Sequence, residues 1–274
     1  MSRPLANLLA IRALVARGAH FYVGHSGGKD SQAMYILLRA LVPAAQLHVI
    51  HADLGEVEWT GVKDHIRDTI DGELLIAKAI HADGSPKDFF SAVRARRVSL
   101  DTPTKKHPNA RHDAPAFPSS AARFCTSDLK RDPIWKIIRA SGHSLVVNCV
   151  GIRGEESPRR AKVIAKRGTL TVNTKNNIDK REAYDWWPIA HYEIEEVWTT
   201  IREAGQQPHP AYADGNERLS CVFCIFGSDN DLNHGAAKRP ELLAKYAQLE
   251  ADTRTTMFSN SSLKGRINVT EVTS

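Results

Sequence analysis

Two groups of residues in this chain have the types and spacing to do chemistry. The first is Ser26-Gly-Gly-Lys-Asp-Ser31, which follows the apolar run Phe21-Tyr-Val23. Gly27 and Gly28 lack a Cβ, so the backbone there can turn tightly and bring its N–H groups close to an anion. A helix opening at the same point adds its own unsatisfied amides, and the two together make a seat for phosphate. Lys29 adds a mobile positive charge, and Ser26 and Ser31 add hydroxyls. The spacing is not that of a Walker A loop, which needs four residues between its glycines and then Gly-Lys-Ser/Thr. Here three residues separate Gly24 from Gly28, and Asp30 follows the lysine.

The second group is the cysteines. Cys221 and Cys224 form a CxxC, the spacing that lets two thiolates hold one metal or cluster. A redox pair has the same spacing, but this one does not open a βα unit as thioredoxin-like motifs do. Cys125 lies near Arg123 and Lys130, cations expected to lower its pKa and favour thiolate. Cys149 sits among Val146, Val147 and Val150 and is expected in the core as a small hydrophobe. Cys125, Cys221 and Cys224 are therefore the candidate metal ligands. Three thiolates suit a [4Fe–4S] cluster with one iron open, or zinc with His209 or His234 as fourth ligand. Three reduced, unligated thiols are the plain alternative.

These residues need elements to position them. His20–Gly24 reads as a buried strand and residues 33–41 as the continuing helix; further strands are expected at 46–52, 74–77 and 144–150. Helices are expected at 58–70, at 86–98 with Ser85 as cap and Pro86 at its first position, at 194–204 and at 240–249. Trp187-Pro-Ile189 is expected to close the sheet. Alternating strands and helices argue for an α/β fold with a doubly wound, mostly parallel sheet, Rossmann-like. The pattern changes near Trp186, which predicts a nucleotide-binding domain over 1–190 and a smaller helical, cysteine-bearing subdomain over 191–274. In such sheets ligands sit outside the carboxyl ends of strands. That expectation places Asp53, as a partner for ribose or Mg²⁺ or merely a turn aspartate, beside the glycine turn. Gly151-Ile-Arg-Gly-Glu-Glu-Ser-Pro-Arg-Arg160 is a second charged turn at a strand end, with Arg153, Arg159 and Arg160 able to neutralise phosphate, Arg153 foremost, and Glu155 and Glu156 placed to orient them or to hold Mg²⁺. An exposed ion-pair cluster is the competing account. Residues 99–122, with four prolines and a basic patch at 105–112, read as an irregular loop over a site or as a solvated one.

A length of 274 residues fits one large domain with an appendage, and 42% hydrophobic with 25% charged residues is ordinary for a soluble globular protein. The net charge of +6 suits a polyanionic partner, nucleotide or nucleic acid. Residues 5–16, broken by Asn7 and Arg12, read as an amphipathic helix and not a signal peptide, and no run is long enough to span a membrane. Four cysteines without an export signal point to the cytoplasm and to metal binding over disulfides. The last fifteen residues, polar with few large apolar side chains, read as frayed or loosely docked.

Several segments, taken in order, resemble the phosphoadenosine phosphosulfate (PAPS) reductase family of the adenine nucleotide α-hydrolase superfamily. They are Ser26–Ser31, His51-Ala-Asp-Leu-Gly55, Cys125-Thr-Ser-Asp-Leu-Lys130 with Pro133, Gly151-Ile-Arg153 with Glu156-Ser157, and Ser220-Cys-Val-Phe-Cys224. The resemblance implies an adenine nucleotide, ATP or PAPS with Mg²⁺, bound by Ser26, Gly27, Gly28, Lys29, Asp30, Ser31, Asp53, Gly151, Arg153 and Ser157. Lys29, Asp30 and Arg153 would be catalytic, and a [4Fe–4S] cluster would sit on the cysteines, with Zn²⁺ the alternative. Reductases of this kind carry a Cys-Cys pair where this chain has Phe124-Cys125, and a Glu-Cys-Gly-like tail; no cysteine follows Cys224 here. The pattern is closer to the superfamily's sulfurtransferases, tRNA thiolases among them. It implies adenylation with loss of pyrophosphate, then sulfur transfer, with segments 87–112 and 153–181 guiding a nucleic acid. Sulfonucleotide reduction releasing sulfite is the alternative, and a non-catalytic nucleotide- or cluster-sensing module the third reading. A sulfur donor or a thiol reductant protein is the implied protein partner, with oligomers allowed and no membrane.

Overall fold

The computed structural model describes residues 7–267. Its elements run α1 (Leu8–Ala16), β1 (His20–Gly24), α2 (Lys29–Arg39), β2 (Leu47–Ala52), α3 (Val62–Thr69), β3 (Leu74–Ala77), α4 (Phe89–Asp101), α5 (Phe124–Thr126), α6 (Asp132–Ala140), β4 (Leu145–Cys149), α7 (Pro158–Arg167), β5 (Leu170–Val172), β6 (Glu182–Trp186), α8 (Ile194–Glu203), α9 (Asp229–Lys238), α10 (Pro240–Thr253) and α11 (Leu263–Arg266). They fall into two compact units, each discontinuous in sequence. Among the described residues, a sheet unit takes 7–52, 61–77 and 134–210, and a helical unit takes 53–60, 78–133 and 211–267. A single boundary at 190/191 is thus not where the units part. The helical unit collects segments that follow β2 and β3 as well as the carboxyl-terminal part, and local composition carries no mark of those departures.

The sheet has the order β3-β2-β1-β4-β6-β5, parallel except for β5, which runs antiparallel to β6. This is the doubly wound α/β architecture expected. Its apolar strands are buried on both faces, as parallel strands must be. Phe21, Tyr22 and Val23 in β1 are each 1% exposed or less. Tyr22, Ile50, Ala77, Val146 and Ala183 form one core face, covered by Trp135 and Ile138 of α6. The direction in which strands are added reverses between the parallel neighbours β1 and β4: β2 and β3 lie to one side, β6 and β5 to the other. The carboxyl ends of β1 and β4 therefore form the topological switch point of the sheet.

Several elements differ from expectation for local reasons. The helix expected from Ser85 begins at Phe89, because Asp88 and Ser91 form a capping box. Ser85 instead donates its hydroxyl to Asp83. The sheet closes with Glu182–Trp186, not Trp187–Ile189, and the edge strand β5 is only three residues long. The helix expected over 58–70 is shorter, preceded by a 3₁₀ turn at Gly55–Val57. Helix α9 is an addition to the expected set.

In the helical unit Tyr246 of α10 sits among Phe89, Phe90 and Phe223, with ring centroids at 5.3, 5.2 and 5.3 Å. Of the last fifteen residues, those up to Ile267 are docked: Leu263 is fully buried, and Glu250 accepts the amides of Met257 (2.7 Å) and Leu263 (3.0 Å). The rest of that expected frayed tail lies outside the described residues. Among the described residues no helix is long and apolar enough to cross a membrane.

Candidate functional site

In the sheet unit, β1 delivers the chain into the glycine turn and α2 leaves it at Lys29. Gly27 has φ +78°, a conformation that costs a side-chain-bearing residue energy, and Gly28 caps the helix in extended geometry. His25 anchors the turn from beneath. Its Nδ1 accepts the Gly27 amide at 3.1 Å, and its carbonyl takes a hydrogen bond from His51 Nδ1 at 2.9 Å. Burial, helped by His65 and His51, pushes the His25 pKa down to about 3, so the ring is neutral and able to accept. Ser31 is committed to the same scaffold: its hydroxyl accepts the Ser26 amide (3.1 Å) and donates to the Gly28 carbonyl (2.8 Å). The hydroxyl expected to reach for phosphate thus holds the turn in shape.

Lys29 is not the mobile charge expected. It is 6% exposed, with Nζ 5.8 Å from the Trp198 ring centroid and 3.6 Å from Asp30 Oδ2. Across the switch point, Gly151 follows β4 so closely that a Cβ there would meet the Asp30 carbonyl oxygen at 3.1 Å. Arg153 is 4% exposed. It donates from Nε to Asp30 Oδ1 at 2.6 Å, from Nη1 to the Tyr192 carbonyl at 3.3 Å, and also to Glu155. Sequence reasoning sends this guanidinium to phosphate; the structure engages it with Asp30 and Glu155, where it ties the start of α2 to the turn after β4. Ser157 accepts the Arg160 amide at 3.3 Å as the cap of α7, and Glu156 pairs with Arg160. A cleft of about 350 Å³ opens beside this turn, lined by Gly154, Glu155, Ala190, His191, Tyr192 and Glu193.

Asp53 belongs to the helical unit. Its Oδ1 accepts the Gly55 amide at 2.9 Å and its Oδ2 lies 3.5 Å from Lys78 Nζ, so its local work is that of a turn aspartate. The three predicted ligand cysteines all belong to this unit and influence one another electrostatically, but among the described residues their sulfurs do not form a group with all ligand atoms within 4.8 Å of one another. A π-helical turn at Ser127–Arg131 directly follows the short helix bearing Cys125 and carries Lys130. Cys221 pairs in a β-bridge with Glu58, and the Val222 amide donates to the Val57 carbonyl at 2.8 Å. The CxxC segment packs so closely on α9 that a Cβ on Gly235 would meet Val222 Cγ1 at 2.8 Å.

The electrostatics of the thiols correct the sequence expectation. Burial raises Cys125 above the usual thiol value, and Lys130 only partly opposes it. Burial likewise pushes Cys221 up to about 12, against Lys130 and with Cys224, Glu58 and Cys125 adding repulsion. Lys130 itself is held above its ordinary value: burial alone would lower it, but the three sulfurs and Glu58 outweigh that. It is therefore a cation shared by all three thiols, not a neighbour of Cys125 alone. Arg123, the other expected influence, lies over the Phe226 ring at 5.2 Å. Burial raises the Tyr246 phenol well above its ordinary value, the three cysteines add to the rise, and its buried hydroxyl has no hydrogen-bond partner. Thiolates are the soft donors that zinc and iron–sulfur clusters take, and these three share one cation. Cys149 is fully buried in β4 with its thiol raised by desolvation, as a core residue should be. Of the two histidines weighed as zinc ligands, His209 lies in the sheet unit, edge-on to His65 at 5.3 Å. His234 lies in the helical unit, bonded to Asn216, with a buried Nε2 lacking a partner.

In the basic 87–112 segment, Lys87, Arg94 and Arg97 are each paired with a carboxylate. Arg97 donates to Asp101 and to the carbonyls of Arg111, His112 and Ala114, fastening the irregular loop, and Arg94 pairs with Asp252 at 3.0 Å. His25, Trp198 and Tyr246 are the site residues that sequence spacing alone does not single out.

Comparison with known proteins places this geometry in a family. A 37.8 kDa protein of Escherichia phage 186 is 31% identical over 137 residues, 49% of this chain and 39% of that protein. A protein of Methanocaldococcus jannaschii is 25% identical over 225 residues, 82% of this chain and 40% of that one. The chain thus spans about two fifths of the length of each of these curated relatives. Among solved structures, a PAPS reductase from Candida auris in a phosphate complex is 13% identical, covering 79% of this chain and 88% of that one with a TM-score of 0.48. The U34-tRNA thiolase of Methanococcus maripaludis, with its [4Fe–4S] cluster, is 12% identical, covering 90% and 77% with a TM-score of 0.40. The model of the phosphoadenosine phosphosulfate reductase domain matches residues 20–226, from the first strand through the CxxC. The chain belongs to the phosphoadenosine phosphosulfate reductase domain family.

Proposed function

We propose that this protein is an adenine-nucleotide enzyme that adenylates an acceptor oxygen with ATP, releases pyrophosphate, and has AMP displaced by sulfur. The observation carrying this reading is the pair of turns at the switch point, locked together by Gly151 against the Asp30 backbone and by Arg153 on Asp30. The lock holds the first amides of α2 in a fixed array, the arrangement that receives phosphate at a helix N-terminus. The β- and γ-phosphates would sit on the Gly27–Gly28 turn and the first turn of α2. The acceptor oxygen attacks the α-phosphorus, the bond to the pyrophosphate bridging oxygen breaks, and an adenylated acceptor results. Lys29, withdrawn from solvent beside Trp198, offsets charge developing on the leaving pyrophosphate; such preorganised charge is worth more in a dry site than in water. Asp30 and Arg153 act by holding the turn. A sulfide-level sulfur from a donor then displaces AMP and leaves the sulfur on the acceptor.

Cys125, Cys221 and Cys224 would hold a [4Fe–4S] cluster, or zinc, and Mg²⁺ would arrive with the nucleotide. A cluster on these cysteines would supply an open coordination position for sulfur. The acceptor in this reading is a nucleic acid, in keeping with the +6 net charge.

The family's own description favours a second reading, sulfonucleotide reduction, in which a thiolate attacks the sulfur of PAPS. Against it stand the burial of Cys149 in β4 and the upward shifts of Cys125 and Cys221, which keep those thiols protonated at neutral pH. Calorimetric titration of anaerobically purified protein with ATP–Mg²⁺ and with PAPS separates the two. The adenylation reading expects ATP to bind tighter by more than about tenfold, which is about 1.4 kcal/mol. A preference for PAPS of that size, with sulfite released in the presence of a thiol, overturns it.

A further inference from the structure

At the opposite end of the sheet from the glycine turn lies a cluster that the nucleotide and thiol chemistry does not use. His20 opens β1, His48 is the second residue of β2, and His143 sits in the turn before β4. These are three adjacent strands of the sheet unit, in the order β2-β1-β4. Tyr22 pairs in register with His48, so His20, Tyr22 and His48 project from the same face as the Ile50–Val146 core. The histidines continue that face to the amino edge of the sheet, where all three are half-buried.

One ring nitrogen from each histidine lies within 4.8 Å of those from the other two. The tightest pair is His20 Nδ1 and His48 Nε2, at 2.9 Å. The His20 and His143 rings stack in parallel, with centroids 3.4 Å apart and planes at 7°. The Tyr22 hydroxyl, 2.8 Å from His143 Nδ1, fixes the plane of that ring. Nitrogens bound to a tetrahedral zinc at about 2.0–2.1 Å lie roughly 3.3 Å from one another. The nitrogens are thus within reach of one ion, and closing on it requires the His20 or His143 ring to turn out of their stack so that its in-plane lone pair points at the metal. Three imidazoles without a thiol or carboxylate in the set suit zinc, copper or nickel over magnesium or calcium. Tyr22 stands where an outer partner orients a metal-bound histidine.

We propose that His20, His48 and His143 form a binding site for a divalent transition metal of the zinc class, separate from the cysteines, with a fourth position left to water. Bound there, the metal cross-links β2, β1 and the approach to β4, the strands that set the switch point. The proposal is independent of the nucleotide reading.

The test uses the whole chain stripped with chelator, in a background carrying Cys125→Ser, Cys221→Ser and Cys224→Ser so that the candidate ligand thiols cannot report. Titration with Co²⁺ is followed by visible absorption and by melting temperature. The expected result is one tightly held Co²⁺ per chain, without near-ultraviolet sulfur charge-transfer bands, displaced by Zn²⁺ and raising the melting temperature. His143→Gln and His48→Gln weaken binding by more than about 100-fold, and Tyr22→Phe by about tenfold, the scale of lost outer-shell support. Unchanged Co²⁺ uptake in both histidine variants overturns the site. Should those variants fail to fold, diethyl pyrocarbonate modification of the unsubstituted chain decides the matter. Zn²⁺ must protect His20, His48 and His143 from the reagent, and modification at the same rate with and without Zn²⁺ removes the proposal.

Discussion

Gly151→Ala tests whether the two turns at the switch point act as one rigid cradle. Gly151 has ordinary backbone torsions, so alanine adds no conformational strain there, and the whole effect comes from the new methyl group. That methyl would lie 3.1 Å from the Asp30 carbonyl oxygen, 3.2 Å from its carbon and 3.4 Å from the Ser31 amide nitrogen. All three are backbone atoms in the first turn of α2 and cannot swing aside as a flexible side chain would. Either α2 or the turn after β4 must yield by a few tenths of an ångström, an overpacking that typically costs about 1–3 kcal/mol. In a domain of this size each kcal/mol lowers the melting temperature by about 2–4 °C. Because the displaced atoms belong to the proposed phosphate seat, nucleotide affinity should fall by about tenfold or more, equivalent to about 1.4 kcal/mol. Gly154→Ala is the matched control. Its methyl meets its nearest neighbours, Ala190 O and Ile164 Cδ1, at 3.4 Å, and leaves Asp30 and Ser31 untouched. Calorimetric titration with ATP–Mg²⁺ alongside thermal unfolding measures both effects. Wild-type affinity in folded Gly151→Ala, or an equal loss in Gly154→Ala, would refute the rigid-cradle reasoning.

Three further outcomes follow from the same geometry. Lys130→Met removes the cation that faces all three thiols, so Cys125 and Cys221 should rise further and iodoacetamide labelling of the metal-free protein at pH 8 should slow; labelling at the wild-type rate would show that Lys130 is not coupled to them. Cys221→Ser should abolish or sharply reduce bound iron or zinc after anaerobic purification, and full metal content in that variant would remove Cys221 from the ligand set. His25, held neutral down to about pH 3, binds fewer protons folded than unfolded between that value and about 6.5. Its contribution is complete above about pH 6.5 and is lost on acidification at up to about 1.4 kcal/mol per pH unit. His25→Asn, which can still accept the Gly27 amide, should flatten the acid limb of a stability-versus-pH curve, and an unchanged slope would show that His25 is not the group responsible.

What could be read from residues alone was whatever is local. The glycine turn, its helix and the parallel strands are encoded within stretches of about ten residues, where backbone freedom and apolar runs decide the structure. The CxxC was legible for the same reason. Arg153 was visible as a charged turn residue, but its partner Asp30 lies 123 positions away, so no spacing rule could show that its charge is matched inside the protein. Likewise, Cys125 looked activated because Arg123 and Lys130 adjoin it in sequence, whereas burial, a property of the folded unit, is the larger influence. Asp53 sat at the expected strand end, but its engagement with Gly55 and Lys78 depends on where two later segments turn. The capping of α4 by Asp88, not Ser85, was a choice between two plausible signals three residues apart. His20, His48 and His143 share no motif, because only the strand order makes them neighbours.

That strand order also dictates when the sheet can be completed. The central strand β1 acquires β2 as soon as residue 52 is available, but Phe21 on its other edge must wait for Val147. Between the two comes the whole of segment 78–133, which joins a different compact unit. A nascent chain emerging from the ribosome therefore holds β3-β2-β1 with an open apolar edge until residues 145–149 have emerged, and closing so long a loop is slow because the entropic cost precedes the reward. During that interval the exposed rim of β1 is the segment most prone to pair with a neighbouring chain.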